Sequence, residues 1–350
     1  MQILTDIKFW FKRHWKATAI TTAGLVFLGA GAWVLQIDSA HGINRLDRNT
    51  SVTGELAITE PAPLTGIEVD PSVAKRPVIA IMIENSPDAR PQSGLDSAGV
   101  VFEAVAEGGI TRFLALYQDR SPSKIGPIRS IRPYYVDWFM GFDAAIAHVG
   151  GSAQALNMLP ARNAKTLNQF AHSGPYYRSS DRYAPHNMYS SVTDLRNLAI
   201  NLGYRTSSFK EIPRSEPNPA GSSSASRITI NYSSSLYQAQ FRYDPKENNY
   251  IRYMAGSPHI DRETGNPIRV ENVVVINMPS RQSGQYVVMD TIGSSSASLF
   301  KDGRRQNVNW RQTSYNNRIE LLDSSGNEVP LAKGDTWFAI LTSGRNFEVQ

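Results

Sequence analysis

The chain has 350 residues, no cysteine and a formal charge of +5. Absence of cysteine excludes disulfides, a lipid-modified cysteine and any thiolate nucleophile or metal ligand. Lys8, Lys12, Arg13 and Lys16 outweigh Asp6 by +3 within residues 1–16, so only +2 belongs to the rest of the chain. A concentrated basic face of the kind that binds nucleic acid is therefore not expected.

Residues 17–37, ATAITTAGLVFLGAGAWVLQI, hold no charged side chain. At about 1.5 Å rise per residue a helix of this length spans a hydrocarbon layer roughly 30 Å thick. Cations before it and Asp38 after it predict a cytoplasmic tip at 1–16, a single-pass anchor in the cell membrane, and a C-terminal part outside the cytoplasm. A cleaved signal peptide would have a shorter apolar run, of about 7–15 residues, and a better small-residue cleavage site than IDSAHG.

Residues 38–72 are polar, broken by Pro61, Pro63 and Pro71, and read as a semi-extended linker. At 73–213 the texture becomes that of an α/β domain with a mixed sheet. Pro77–Ile83, Val100–Val105 and Thr111–Tyr117 read as strands, the last two joined by the Glu107-Gly-Gly109 turn. A helix over 131–141 and a strand at Ala144–Val149 follow, then Gly150-Gly151-Ser152 opens a helix at Ala153–Leu159. Another helix covers Thr193–Leu202 with Gly203 past its end. Residues 214–226, rich in Ser, Pro and Gly, form an interdomain linker or long loop. The remainder, 227–350, predicts a β-rich domain with strands at Arg227–Tyr232, Ala239–Tyr243, Tyr250–Met254, Val270–Met278, Gln285–Met289 and Thr336–Leu341.

Polar residues gather at the ends of the predicted strands of the first domain. Glu84, Asn85 and Arg90 form one group, Glu103, Glu107 and Arg112 a second, Arg129 and Arg132 a third, and His148, Gly150, Gly151 and Ser152 a fourth. Ligands of open α/β sheets sit at the carboxyl ends of strands, so these residues are the candidate ligand-binding set. The Gly pair lets backbone N–H groups approach an anion, with Ser152 alternatively an ordinary helix N-cap. Glu103 and Glu107 are the candidate acid–base pair for hydrolysis, with ion pairing to the nearby arginines as the competing reading. His148, His172 and His186 lack metal-ligand spacing, and no serine elbow, phosphate loop or dinucleotide fingerprint occurs, so neither a metal nor a cofactor is expected.

The segments RPVIAIMIENSPDARPQSGLDSAGVVFEAVAEGGITRFLALYQ, IGPIRSIRPYYVDW, AHVGGSAQAL and DRYAPHNMYS resemble the YerB-like family of bacterial extracytoplasmic proteins. FRYDPKENNYIRYMAGSPHIDRETG and ENVVV resemble its second domain, so the likeness extends over roughly residues 72–350. The resemblance implies an α/β domain followed by a β-rich one, outside the membrane, with no catalytic residues to carry over. Many members look like lipoproteins; this chain has no cysteine and offers its apolar segment as anchor instead. Two functions stay open: an envelope protein that binds a cell-wall polymer or an envelope protein through the first domain, and a hydrolase or transferase acting on a wall polymer with Glu103 or Glu107.

Overall fold

The apolar run that opens the first predicted domain forms strand β1 (Ile79–Glu84), buried along its whole length. Ile79, Ile81 and Ile83 enter one core while Ala80 and Met82 enter another, the two-residue alternation of a strand covered on both faces. β2 (Val100–Val105) and β3 (Thr111–Tyr117) alternate in the same way. Between them Gly108 and Gly109 hold φ of 62° and 77°, a left-handed turn that glycine adopts without a Cβ clash. This computed structural model describes residues 58–350. The expected transmembrane helix at 17–37, and the linker up to residue 57, lie outside the described residues. No described helix is long and apolar enough to cross a membrane.

The chain continues through α1 (Pro133–Met140), β4 (Ala145–Ala147), α2 (Ala153–Ala161) and α3 (Val192–Asn201). The C-terminal half is almost entirely strand: β5 (Arg227–Asn231), β6 (Gln238–Asp244), β7 (Asn249–Met254), β8 (Asn272–Met278), β9 (Gly293–Lys301), β10 (Arg304–Gln312), β11 (Glu320–Leu322), β12 (Thr336–Thr342) and β13 (Phe347–Val349). The molecule is thus β-rich with a mixed sheet. Nine strands form that sheet in the order β11-β10-β9-β8-β12-β2-β3-β1-β4. β12 comes from the end of the chain yet runs parallel to β2 in mid-sheet, with Trp337 opposite Val101 and Ala339 opposite Glu103. Its sequence TWFAILT is apolar between its terminal threonines, which suits a strand covered on both sides. The N- and C-terminal halves therefore share one sheet.

One face of the sheet carries α1 and α2. Phe102 stacks between Trp138 and Phe338, with ring centroids 5.4 and 4.6 Å away. The opposite face is covered by α3 and by a second, antiparallel sheet of β7, β6, β5 and β13 with two short strands beside β7. Fully burying a side chain such as Phe102 or Ile230 stabilises the fold by about 1.5–3 kcal/mol each.

Several segments differ from expectation, the short strands β11 and β13 among them. The end of the stretch read as linker is folded: Glu60–Pro61 pairs with Glu68–Val69, and Leu64 is fully buried with its N–H donated to Gln118 Oε1 at 3.1 Å. Its prolines hid Ala62 and Leu64, two apolar residues with a core to enter. Strands β9 and β10 were not predicted at all. Their sequences, GSSSASLFK and RRQNVNWRQ, are rich in Ser, Asn and Arg, poor strand formers. Residues 214–226 run as a long surface loop, fastened where Arg214–Ser215 pairs with Leu331–Ala332 and where the Ala220, Ser224 and Ala225 N–H groups donate to carbonyls of Asp302 and Gly303.

Candidate functional site

β1, β2, β4, β8 and β12 all run the same way, since β1 is parallel to β4, β2 to β12 and β12 to β8, while β3 is antiparallel to both β1 and β2. Their carboxyl ends make one rim, and the four polar groups of the sequence lie along it. Glu84 ends β1 directly opposite Arg112 of β3. Arg129 passes beside them, donating its backbone N–H to Met82 and accepting from Val149.

Beneath the rim lies a closed ring of hydrogen bonds. Arg252 Nη2 donates to Glu103 Oε2 at 2.7 Å, and its Nη1 donates to His259 Nδ1. His259 Nε2 donates to Gln92 Oε1 at 2.7 Å, Gln92 Nε2 to Asn85 Oδ1 at 2.9 Å, and Asn85 Nδ2 to Thr111 Oγ1 at 2.6 Å. The Thr111 hydroxyl closes the ring on Glu103 Oε1 at 2.9 Å. Every member is buried, and every donor points from the guanidinium toward the carboxylate. The Trp337 indole N–H adds a second donor to Glu103 Oε2, and Arg252 lies 4.4 Å from the centroid of that ring. Burial, then the charges of Arg252 and Arg90, push the His259 imidazole well below its ordinary range, consistent with a neutral ring that accepts on Nδ1. Arg90 braces the ring from outside through Asn85 and the Leu236 carbonyl. Asn85, Arg90 and Glu103 thus serve a buried lock between the two sheets.

Nearer the surface, Glu84 accepts on Oε1 from Ser86 and from His186 Nδ1, each at 2.9 Å, with Arg129 Nε 3.3 Å away. Its buried Oε2 has no donor among the described residues. Nothing in the sequence around His186 connects it to a carboxylate 102 residues earlier.

Glu107 sits between two cations. Arg132 Nε bonds its Oε1, and Arg112 Nη2 lies 3.7 Å from its Oε2. Partial burial pushes this carboxyl up, but the hydrogen bond and charge of Arg132, with the charge of Arg112, outweigh it and hold the group below its ordinary range. A general acid needs the opposite shift. His148 is buried, with Nδ1 2.8 Å from the Gly150 carbonyl and Nε2 3.1 Å from Thr166 Oγ1; burial pushes its imidazole down despite the bond to Gly150. Gly150 has φ of 63°, and Ser152 caps α2 by accepting from the Ala155 N–H at 3.3 Å.

Open space remains where Glu107, Arg132 and Ser152 meet the hairpin Ser280–Ser283/Tyr286–Met289. A recess of about 200 Å³ is lined by these three with Tyr134, Gln154 and Tyr286. A second, of about 350 Å³, continues past Ala106 and Val287, which line both, toward Gly109, Ser233 and Arg345. The groove has Arg132 and Arg345 against the single carboxylate of Glu107, and Glu107 is already paired. The sequence signals Arg132, Glu107 and Ser152; Arg345 and the hairpin come from the far end of the chain and carry no local sign of a role.

The fold, a mixed sheet of nine strands completed by a strand from the end of the chain, has a counterpart of known structure. The crystal structure of YerB from Bacillus subtilis superposes with a TM-score of 0.74 at 30% identity, covering 82% of this chain and 99% of that one. YerB of Bacillus subtilis (strain 168), which carries the name of a lipoprotein, is 33% identical over 287 residues, 80% of this chain and 86% of that protein. Residues 64–205 match the family described as Protein of unknown function (DUF3048) N-terminal domain, and residues 228–338 match its C-terminal domain. The chain belongs to this YerB family.

Proposed function

We propose that the protein is held at the outer face of the cell membrane and binds an anionic component of the cell wall in the rim groove. The observation that carries this reading is the charge balance of the groove, where Arg132 and Arg345 outnumber Glu107. Guanidinium groups recognise carboxylate and phosphate bidentately, and Tyr134 and Tyr286 add rigid amphipathic surface beside them. Placement at the membrane is supported by the uncharged segment 17–37 behind a basic tip and by the lipoprotein name of the Bacillus relative. A hydrolytic role for the two glutamates is not favoured, because Glu103 is locked onto Arg252 without exposure and Glu107 is held ionised by arginines.

The test incubates the full chain, kept in detergent, with purified peptidoglycan sacculi, pellets them, and records bound protein and released fragments. Saturable pelleting without fragments supports the reading. Fragments that vanish with Glu107→Gln would replace it with an enzyme.

A further inference from the structure

The largest recess among the principal cavities, about 410 Å³, lies away from the rim on the C-terminal part of the large sheet. There β9 and β10 extend beyond the cover of the second sheet. Their pairing sets Ser296 opposite Asn309 and Ser298 opposite Asn307, and the register of β8 continues the first row to Asn277. The floor is thus two adjacent rows of amides and hydroxyls, about 4.8 Å apart across strands and about 7 Å along them. Asn277, Ser296, Asn307 and Asn309 are exposed, and their side chains make no hydrogen bond to the protein among the described residues. One wall is the Phe347 ring, with Arg305 held 5.2 Å from its centroid while donating to Ser298 Oγ at 3.1 Å.

Asparagine is a poor strand residue, and here three of them occupy neighbouring positions of a sheet with no bond inside the fold in return. A local rule broken without structural compensation marks a functional surface. The chemistry is specific. Amides and hydroxyls each donate and accept, as sugar hydroxyls do, and the recess contains no carboxylate and a single cation already engaged with Ser298. An aromatic ring at the edge offers the apolar surface that a pyranose face needs. We infer that this recess is a binding site for an uncharged, hydroxyl-rich saccharide chain, distinct from the rim groove and independent of the function proposed for it.

The experiment titrates the full chain in detergent with two neutral probes, an N-acetylglucosamine tetramer and a maltotetraose, by calorimetry. Wild type is expected to bind at least one saturably. Asn307→Val/Asn309→Val is expected to weaken that binding at least tenfold while melting no lower than wild type, since valine is the better strand residue. Arg132→Ala is expected to bind the sugar unchanged. No saturable binding of either probe, or equal binding by the valine variant, would overturn the inference. Loss of sugar binding in Arg132→Ala alone would also overturn it, by moving the sugar to the rim.

Discussion

Arg252 and Glu103, 149 residues apart in sequence, meet at 2.7 Å with neither side chain exposed. One comes from the second sheet and the other from the middle of the first, so the pair fastens the N- and C-terminal halves through a ring of polar residues. Removing one partner leaves a buried charge uncompensated, at a cost of about 3–5 kcal/mol. Arg252→Ala and Glu103→Gln should each lower the unfolding free energy, read from urea titration, by an amount of that order. Because β12 lies in mid-sheet beside β2, the loss should appear in a single cooperative transition; two separate transitions would show that the halves fold independently.

Two buried histidines should make the fold sensitive to mild acid. His148 and His259 are pushed below the ordinary histidine value by burial, and His259 also by Arg252 and Arg90. A group whose folded pKa is depressed gives stability that is present above its unfolded value, about 6.5, and lost as pH falls. The contribution of these two histidines should therefore decline from pH 7 to 5.5, by at most about 1.4 kcal/mol per pH unit for each proton taken up on unfolding, while Asp335, pushed up to about 7 by burial, acts in the opposite sense. Denaturant titrations of wild type and His148→Asn across that range check it: the stability lost by wild type relative to the variant should grow as pH falls.

Leu64 separates a linker from a packed strap. Leu64→Ala should cost about 2–5 kcal/mol, the range for a fully buried leucine. A change within about 0.5 kcal/mol, ordinary for a surface position, would mean the segment is only a tether.

Glu107 offsets Arg132 and Arg112 in the groove. Glu107→Gln frees that positive charge and should tighten binding to an anionic polymer several-fold at low salt, with the gain fading as ionic strength rises. Pelleting isotherms at two salt concentrations check both halves of the expectation.

Much of the first sheet was legible because β1, β2 and β3 are largely apolar runs, and the shared direction of β1, β2 and β4 brings Glu84, Glu107 and His148 to one rim. The ring beneath was not legible. Arg252 and His259 sit in IRYMAGSPHI, where no spacing announces a partner 149 residues away. His186 was hidden from Glu84 in the same manner. β9 and β10 were not legible because Ser294–Ser296, Asn307 and Asn309 carry little strand propensity, and Ser296, Asn307 and Asn309 line the recess assigned to a saccharide. Local pattern reports burial; it does not report which distant polar groups the fold will join.

The most direct test of the rim groove compares sacculus-binding isotherms of wild type and Arg132→Ala, both as full chain in detergent and both confirmed folded by their melting transitions. Wild type is expected to saturate and Arg132→Ala to bind at least tenfold more weakly. Superimposable isotherms would contradict the assignment of the wall-binding site to this groove.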